Sequence, residues 1–418
     1  MDIYRSQWII PIKSPPIEDG LLAVDKGRIM WLGASDRCHG RISSHDAIHD
    51  LGNCILLPGL INTHTHLDLT GYRGRLPQAP LFEWIEKLIT LRRADGAEVL
   101  ERDAVRTGVA ESLAAGVTCI GDITRNETTV EVLKDTPIRM VCFLELISGA
   151  SRPPNDLESL RNMLERLMPC AESGRLMLGL SPHAPYTVTR EDCIGLATLA
   201  RASNAPLSMH LLETSEEVRW LTGRGGPIQD LLIRRNAPHA AVKPDEDILD
   251  TLERAGILVP SSLLVHVNYV TDDQIDRLAA GSVSVTWCPR SSRYFGHTQH
   301  RWREMLKRGV NVCLGTDSAA SNETLSILDE MRCVRAEYPD VAPETILEMA
   351  TLHGAKGLGL DPMVGSLRAG KRADFIQVPI DTDEPSNPIA NLLDGKTHVE
   401  SDNTAPCDDG DACTTADT

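Results

Sequence analysis

The sequence predicts an α/β fold, a (β/α)8 TIM-like barrel with a small β-sandwich domain built from both chain ends. With 418 residues, the chain is long enough for a barrel and a second, smaller unit. Eight short apolar runs alternate with segments whose apolar residues recur every three or four positions. This alternation favours a closed parallel barrel. The alternative is an open doubly wound sheet, but no GxGxxG turn follows any of the runs.

The eight apolar runs are the predicted barrel strands. Several are apolar at consecutive positions, as expected for parallel strands that are buried on both faces. The predicted strands are Ile55–His66, Val117–Ile123, Ile138–Ile147, Leu176–Pro185, Pro206–Thr214, Ser262–Val270, Ser282–Pro289 and Asn311–Ala319. The segments between them have helical spacing, so each strand is expected to be followed by a helix.

The two chain ends do not continue this rhythm. Residues 1–54 contain short β-like pieces separated by turns, and residues 365–376 have the pattern of two turns and a strand. We therefore predict a composite small β domain from residues 1–54 and 355–400, around a barrel over 55–354. Residues 401–418 hold five Asp and no Lys or Arg, and we expect this acidic tail to be disordered.

Composition narrows the class of protein. The chain has 42 basic and 59 acidic side chains and a net charge of −17, which argues against a nucleic-acid partner. No apolar run reaches the roughly 18 residues of a membrane helix, so no membrane partner is expected. The first residues lack the features of a signal peptide, and the 11 cysteines are scattered, which indicates reduced thiols. We expect a cytoplasmic protein that acts on a small molecule.

Histidines and one aspartate gather at the carboxyl ends of the predicted strands. His64 and His66 are two apart on the first strand, so their side chains face the same side. The corresponding residues of four further strands are His183, His210, His266 and Asp317. Each of these residues, taken alone, would more often be an ordinary core or surface residue. Together they predict a divalent metal site, because barrel active sites lie at this face.

Six segments, in order across residues 50–378, resemble the amidohydrolase superfamily, in particular its cytosine-deaminase-like and adenine-nucleoside deaminase branch. The segments are PGLINTHTHLDL, SPHAPYTV, MHLLET, LLVHVNYV, LGTDSAASN and GSLRAGKRADFI. The resemblance implies a (β/α)8 barrel with a small β-sandwich, in agreement with the fold predicted above. It also implies a metal-dependent aminohydrolase that deaminates an adenine-type nucleoside.

The resemblance implies one divalent ion, zinc or else iron, bound by His64, His66, His210 and Asp317. Three imidazoles and a carboxylate, with an open position for water, suit such an ion. Binuclear relatives carry a carbamylated lysine at the end of strand four, where this chain has residues 181–183, Ser-Pro-His. We therefore expect a single ion. The non-enzyme alternative is a metal-free structural homologue, but such proteins lose ligands and all four are present here.

Catalytic and substrate-binding roles follow from the same resemblance. Asp317 accepts a proton from the attacking water, and Glu213 protonates the ring nitrogen of the bound substrate. His266 stabilises the tetrahedral oxygen. His183 contacts the substrate ring, and Glu83, within a Phe-Glu-Trp segment, binds the ribose hydroxyls.

The substrate prediction depends on residues 288–297, which, together with 315–322, look most similar to aminodeoxyfutalosine deaminases of menaquinone biosynthesis. Their substrate joins adenine and ribose to a benzoate, whose carboxylate Arg290 or Arg293 would bind. The leading prediction is therefore 6-aminodeoxyfutalosine. The alternatives are methylthioadenosine/S-adenosylhomocysteine deaminase, guanine or 8-oxoguanine deaminase, and s-triazine hydrolase.

The C-terminal segment departs from the family pattern. After Val378 relatives normally add further sandwich strands, and residues 379–418 show none. We predict an incomplete small domain that weakens stability or association before it affects chemistry, because the site residues are distant in sequence. Relatives often form oligomers, so a homo-oligomer is also expected.

Overall fold

The computed structural model describes residues 1–150, 153–171, 174–223, 225–235, 240, 242, 246–380 and 387–394. An eight-stranded parallel sheet forms the barrel, and a six-stranded sheet lies apart from it. The predicted fold class is therefore confirmed. Within the described ranges, every helix is too short or too polar to cross a membrane. Residues 381–386 and 395–418, including the predicted acidic tail, lie outside the described residues.

The strands are β1 (Asp2–Ile9), β2 (Ile17–Asp25), β3 (Arg28–Ala34), β4 (Ala47–Asp50), β5 (Cys54–Pro58), β6 (Leu60–Thr65), β7 (Val117–Thr124), β8 (Arg139–Leu146), β9 (Leu176–Pro182), β10 (Leu207–Leu211), β11 (Ser262–His266), β12 (Ser284–Trp287), β13 (Asn311–Leu314) and β14 (Phe375–Pro379).

The helices are α1 (Ser35–Cys38), α2 (Leu81–Arg92), α3 (Ala97–Ala114), α4 (Glu127–Leu133), α5 (Leu157–Leu167), α6 (Arg190–Ser203), α7 (Ser215–Leu221), α8 (Pro227–Arg234), α9 (Ile248–Ala255), α10 (Asp272–Ala280), α11 (Pro289–Tyr294), α12 (Trp302–Lys307), α13 (Ile327–Glu337), α14 (Pro343–Met349), α15 (Leu352–Gly357) and α16 (Pro388–Leu393). Short 3-10 turns cover His39–Arg41, Leu67–Tyr72 and Met168–Ala171.

The barrel runs from β6 to β13 in chain order, with every neighbouring pair parallel. Its two end strands meet through hydrogen bonds: Thr63 Oγ1 donates to the Leu314 carbonyl (2.8 Å), and the Asp317 amide donates to the His64 carbonyl (3.0 Å). Thr63 Oγ1 also lies 2.9 Å from Thr286 Oγ1 of β12, which is not a neighbour of β6. These contacts close the ring and fix the first strand relative to the last.

The predicted first strand, Ile55–His66, is in fact two strands. β5 pairs with β1 and β14 in the small sheet, whereas β6 pairs with β7 in the barrel. Gly59 separates them, and a Cβ there would lie 1.9 Å from Thr118 Oγ1. Only glycine lets the backbone pass so close to β7. The unbroken apolar run hides this change of sheet, because both pieces are buried.

The small sheet has the order β14-β5-β1-β2-β3, with β4 paired to β1, so both ends of the described chain contribute to it. A buried ion pair joins this part of the chain to the barrel, since Arg139 Nε of β8 lies 3.0 Å from Asp374 Oδ2. α15 packs against β6, β12 and β13, and α16 packs against α13 and α14. The predicted domain boundaries stay a prediction.

Candidate active site

Four histidines cluster at the carboxyl ends of the barrel strands. His64 lies in β6, and His66 directly follows that strand. His210 lies in β10, and His266 is the last residue of β11. The ring centroid of His64 is 4.9 Å from those of His66 and His210 and 5.5 Å from that of His266. The barrel thus brings together histidines that lie up to about 200 residues apart in sequence, because its neighbouring strands end at the same face.

Three of these histidines and one aspartate have the geometry of a metal site. His64, His66 and His210 each offer a nitrogen, and these atoms lie within 4.8 Å of one another. Asp317 Oδ1 lies 3.6 Å from His64 Nε2 and 3.8 Å from His66 Nε2. His64 is fully buried, and neither of its ring nitrogens has a hydrogen-bond partner among the described residues. Because unsatisfied buried nitrogens are costly, this arrangement fits a divalent cation.

The surrounding hydrogen bonds orient two of the candidate ligands. His210 Nδ1 donates to the carbonyl of His183 (3.1 Å), which leaves Nε2 available to a cation. The Asp317 Oδ2 atom accepts hydrogen bonds from Ser291 Oγ (2.7 Å) and Ser321 Oγ (3.1 Å), so Oδ1 faces the histidines. Burial alone would raise the pKa of Asp317, but the neighbouring histidines hold it well below its usual range. Burial lowers the pKa of His210 well below its usual value.

Glu213 and His266 face each other beside this cluster, with Glu213 Oε1 3.6 Å from His266 Nε2. The Glu213 carbonyl accepts a hydrogen bond from Asn268 Nδ2 (2.9 Å). The amides of Leu212 and Glu213 donate to the two carboxylate oxygens of Glu217, which fixes the turn after β10. Burial, aided by the charges of Asp317 and Glu217, raises the pKa of Glu213 well above its ordinary value. Burial thus makes ionisation of Glu213 less favourable than that of an exposed glutamate.

Non-glycine residues with left-handed backbone conformations collect around these side chains. The φ angles are 48° at Leu212, 71° at His266, 50° at Val267 and 58° at Asp317. Such conformations are unfavourable for residues with a Cβ and cluster at functional sites. The same turns redirect the chain where β10, β11 and β13 end.

His183 and Glu145 extend the cluster on the other side of His210. The ring centroids of His183 and His210 are 5.0 Å apart, and His183 Nδ1 lies 2.6 Å from Thr187 Oγ1. Glu145, in β8, is buried with Oε1 4.0 Å from His210 Nδ1. Glu145 was not among the residues expected from the sequence. The only indication was a lone carboxylate within the apolar run Ile138–Ile147.

Comparison with known proteins decides the family. Residues 55–399 match the family model described as "Amidohydrolase family". The chain belongs to the amidohydrolase family. This confirms the resemblance seen in the sequence, and the protein is a hydrolase that acts on C–N bonds of cyclic amidines.

This amidohydrolase is similar to proteins that deaminate purine nucleosides. It is 30% identical over 411 residues to the 5-methylthioadenosine/S-adenosylhomocysteine deaminase of Saccharophagus degradans, covering 95% of this chain and 86% of the relative. Its fold resembles a zinc-bound adenosine deaminase from Xanthomonas campestris (TM-score 0.82, 24% identity, covering 97% of this chain and 92% of the other). It equally resembles aminofutalosine deaminase of Helicobacter pylori in complex with methylthio-coformycin (TM-score 0.82, 23% identity, 94% and 95% covered).

A cavity of about 510 Å³ opens at the mouth of the amidohydrolase barrel. It begins at Thr214, next to Glu213, and its aromatic wall consists of Tyr269, Tyr294, Phe295 and His297. Residues 78–81, just before and at the start of α2, form the opposite part of its lining. The cavity therefore lies next to the residue that follows Glu213, although the buried histidines do not line it.

The amidohydrolase holds the three remaining predicted substrate residues outside the buried cluster. Arg290 Nη2 lies 3.1 Å from Glu323 Oε2, and Arg293 Nη2 lies 3.4 Å from Glu337 Oε2. Both guanidinium groups are thus engaged with carboxylates, and neither residue is part of the cavity lining. Glu83 is exposed in the first turn of α2 and makes no hydrogen bond or ion pair with another described residue.

Proposed function

We propose that this protein is a metal-dependent deaminase of adenine nucleosides, in which His64, His66, His210 and Asp317 hold one divalent ion. The observation that carries this proposal is the buried His64, whose two ring nitrogens have no hydrogen-bond partner among the described residues and whose Nε2 lies 3.6 Å from Asp317 Oδ1, with the buried Glu213 and His266 beside it. The relatives named as nucleoside deaminases support adenine nucleosides as the substrate class.

The ligand set suits zinc first and iron second, because neutral imidazole and carboxylate bind both. When bound, such an ion lowers the pKa of a water molecule towards about 7 and so provides the nucleophile. The hydroxyl groups of Ser291 and Ser321 keep Asp317 in the orientation that this ligand set requires. The adenosine deaminase of Xanthomonas campestris, which shares the fold, has zinc bound.

The proton steps belong to residues of this chain. Glu213 donates its proton to the ring nitrogen as water adds to C6 of adenine, which the raised pKa of Glu213 favours. Asp317 accepts the proton of the attacking water, and His266 hydrogen-bonds the developing tetrahedral oxygen. When a proton is returned to the 6-amino group, the C–N bond breaks and the amino group leaves as ammonia. The oxygen of the added water then forms the ring carbonyl of the product. His183, whose ring centroid is 5.0 Å from that of His210, contacts the substrate ring.

Among adenine nucleosides, we place 5′-methylthioadenosine first. The case for 6-aminodeoxyfutalosine relied on a free arginine for the benzoate, and the ion pairs of Arg290 and Arg293 weaken that argument. Aminodeoxyfutalosine is the second candidate, because a structural neighbour is named for it. Glu83 stays the candidate for the ribose hydroxyls, since its carboxylate has no protein partner among the described residues.

Ammonia release from a panel of substrates tests this proposal. The panel contains adenosine, 5′-methylthioadenosine, S-adenosylhomocysteine, 6-aminodeoxyfutalosine, guanine, 8-oxoguanine and an s-triazine. We expect turnover of adenine nucleosides with kcat/KM of about 10⁴ M⁻¹s⁻¹ or more for the preferred one. Turnover of guanine, 8-oxoguanine or the triazine alone would refute the substrate class. Absence of any turnover, together with absence of bound metal, would support the structural homologue instead.

A further inference from the structure

Glu145 is a buried glutamate whose Oε1 atom has no hydrogen-bond partner among the described residues, and the proposed chemistry does not use it. Its side chain is only 8% exposed. Its Oε1 atom makes no hydrogen bond, and no described Lys or Arg nitrogen lies within 4 Å of it. A buried carboxylate in this state is destabilising unless a donor reaches it. A hydrogen-bond donor on a bound molecule would therefore stabilise the Glu145 carboxylate.

The missing partner is not the proposed metal ion. Glu145 Oε1 lies 4.0 Å from Nδ1 of His210, and that nitrogen already donates to the carbonyl of His183. The proposed metal ligand of His210 is therefore its other nitrogen, Nε2, which makes no hydrogen bond to the His183 carbonyl. Glu145 thus adjoins the Nδ1 atom of His210 and lies next to His183.

The position next to His183 points to the substrate. His183 is the residue that we place against the nucleoside ring, and its ligand atoms and those of Glu145 and His210 lie within 4.8 Å of one another. Adenine offers this carboxylate no N–H or O–H donor, because N3 and N7 accept hydrogen bonds and the amine reacts at the ion. In a nucleoside, the remaining donors are the hydroxyl groups of the sugar.

We propose that Glu145 is a specificity-determining residue that accepts a hydrogen bond from one sugar hydroxyl of the substrate, in addition to the ribose contact proposed for Glu83. This inference depends on the proposed function, because it assumes that an adenine nucleoside occupies the site. A hydroxyl bound to a buried carboxylate forms a short, charge-assisted hydrogen bond. Glu145 therefore discriminates nucleosides that carry this hydroxyl from those that lack it.

The test is a cycle between protein variants and substrate analogues. The full chain, Glu145→Leu and Glu145→Gln are assayed with adenosine and with its 2′-deoxy, 3′-deoxy and 5′-deoxy forms. Glu145→Leu should lower kcat/KM for adenosine by about 10- to 100-fold, as expected for loss of a charge-assisted hydrogen bond. For the analogue that lacks the bound hydroxyl, the loss should be no more than about twofold, since that hydrogen bond is already absent.

Two controls separate recognition from folding. Glu191→Gln makes the same chemical change as Glu145→Gln, but at an exposed carboxylate in the first turn of α6. It should leave kcat/KM unchanged for all four nucleosides. Glu145→Gln keeps the size of the side chain and an acceptor oxygen, so it should fold and show a smaller, equally selective loss. This variant carries the comparison if Glu145→Leu does not fold.

The outcomes distinguish this inference from the proposed function. An equal loss with all four nucleosides, or no loss with any of them, would overturn the role of Glu145 while leaving the deaminase activity established. If the unaltered chain deaminates none of the four nor 5′-methylthioadenosine, the proposed function fails and the role of Glu145 fails with it.

Discussion

Replacement of Gly121 by alanine should disturb the proposed metal site through the backbone. Gly121 lies in β7 beside Thr63 of β6, and Thr63 directly precedes His64. A Cβ at this position would lie 2.4 Å from the carbonyl oxygen of Thr63 and 2.9 Å from Leu358 Cδ2. An ordinary C···O contact is about 3.3 Å, so the two strands must separate by about 0.9 Å. A backbone oxygen cannot rotate away as a side chain could.

The displacement reaches His64 because Thr63 and His64 are consecutive in a strand. A shift of about 1 Å in a catalytic constellation costs on the order of 100-fold in activity. The overpacking itself should lower the free energy of unfolding by about 1–3 kcal/mol. We therefore expect Gly121→Ala to fold, to bind divalent metal more weakly, and to lose about 100-fold in kcat/KM.

Metal content, ammonia release and thermal unfolding of the same preparation measure these effects. Gly40→Ala is the matched control, since a Cβ there meets no atom within 4 Å and should change none of the three quantities. If Gly121→Ala keeps its metal content and a kcat/KM within about twofold of the unaltered chain, the link from strand packing to His64 is wrong.

Three further changes test single groups. Glu213→Gln should lower kcat by about 10²- to 10⁴-fold with unchanged metal content, because the amide cannot supply the proton, and a loss below tenfold would assign the proton to another group. Ser291→Ala removes a hydroxyl that orients Asp317 and should weaken metal affinity by about 10- to 100-fold in a chelator competition; equal affinity would contradict this. Burial raises the pKa of Glu330 from 4.5 to about 8, so the stability contributed by its protonated form is fully present below pH 4.5 and is lost as the pH rises to about 8. In urea unfolding, Glu330→Gln should therefore gain stability relative to the unaltered chain between pH 5 and pH 8, and a pH-independent difference would count against this view.

Much of the barrel could be predicted because strand burial and strand-end chemistry are both local in sequence. Apolar runs mark strands that are covered on both faces, and a polar residue at the end of such a run reaches the catalytic face. The histidines from His64 to His266 follow this rule, and the structure brings them together as expected. The break at Gly59 was missed because burial is the same on both sides of it.

Contacts between distant residues could not be predicted in this way. Arg290 or Arg293 was expected to bind a substrate carboxylate, and this role stays a prediction; the sequence did not reveal that the Arg290 guanidinium pairs with Glu323, 33 residues later. Ser291, its neighbour on the same short helix, faces Asp317 instead. Whether a residue of α11 pairs with a carboxylate or faces Asp317 depends on the direction of its side chain. The helix has six residues, which is too short for its sequence pattern to show that direction. Glu145 was not predicted from the sequence. Its Oε1 atom lacks a hydrogen-bond partner among the described residues, and only the folded structure shows this.

The most direct test of the central claim is ammonia release from 5′-methylthioadenosine while a divalent ion is removed and then returned to the full chain. The proposed site predicts that activity disappears with the ion and is fully restored by one equivalent of zinc or iron per chain. Unchanged activity after complete removal of the ion, or a metal-replete chain that releases no ammonia from any adenine nucleoside, would contradict it.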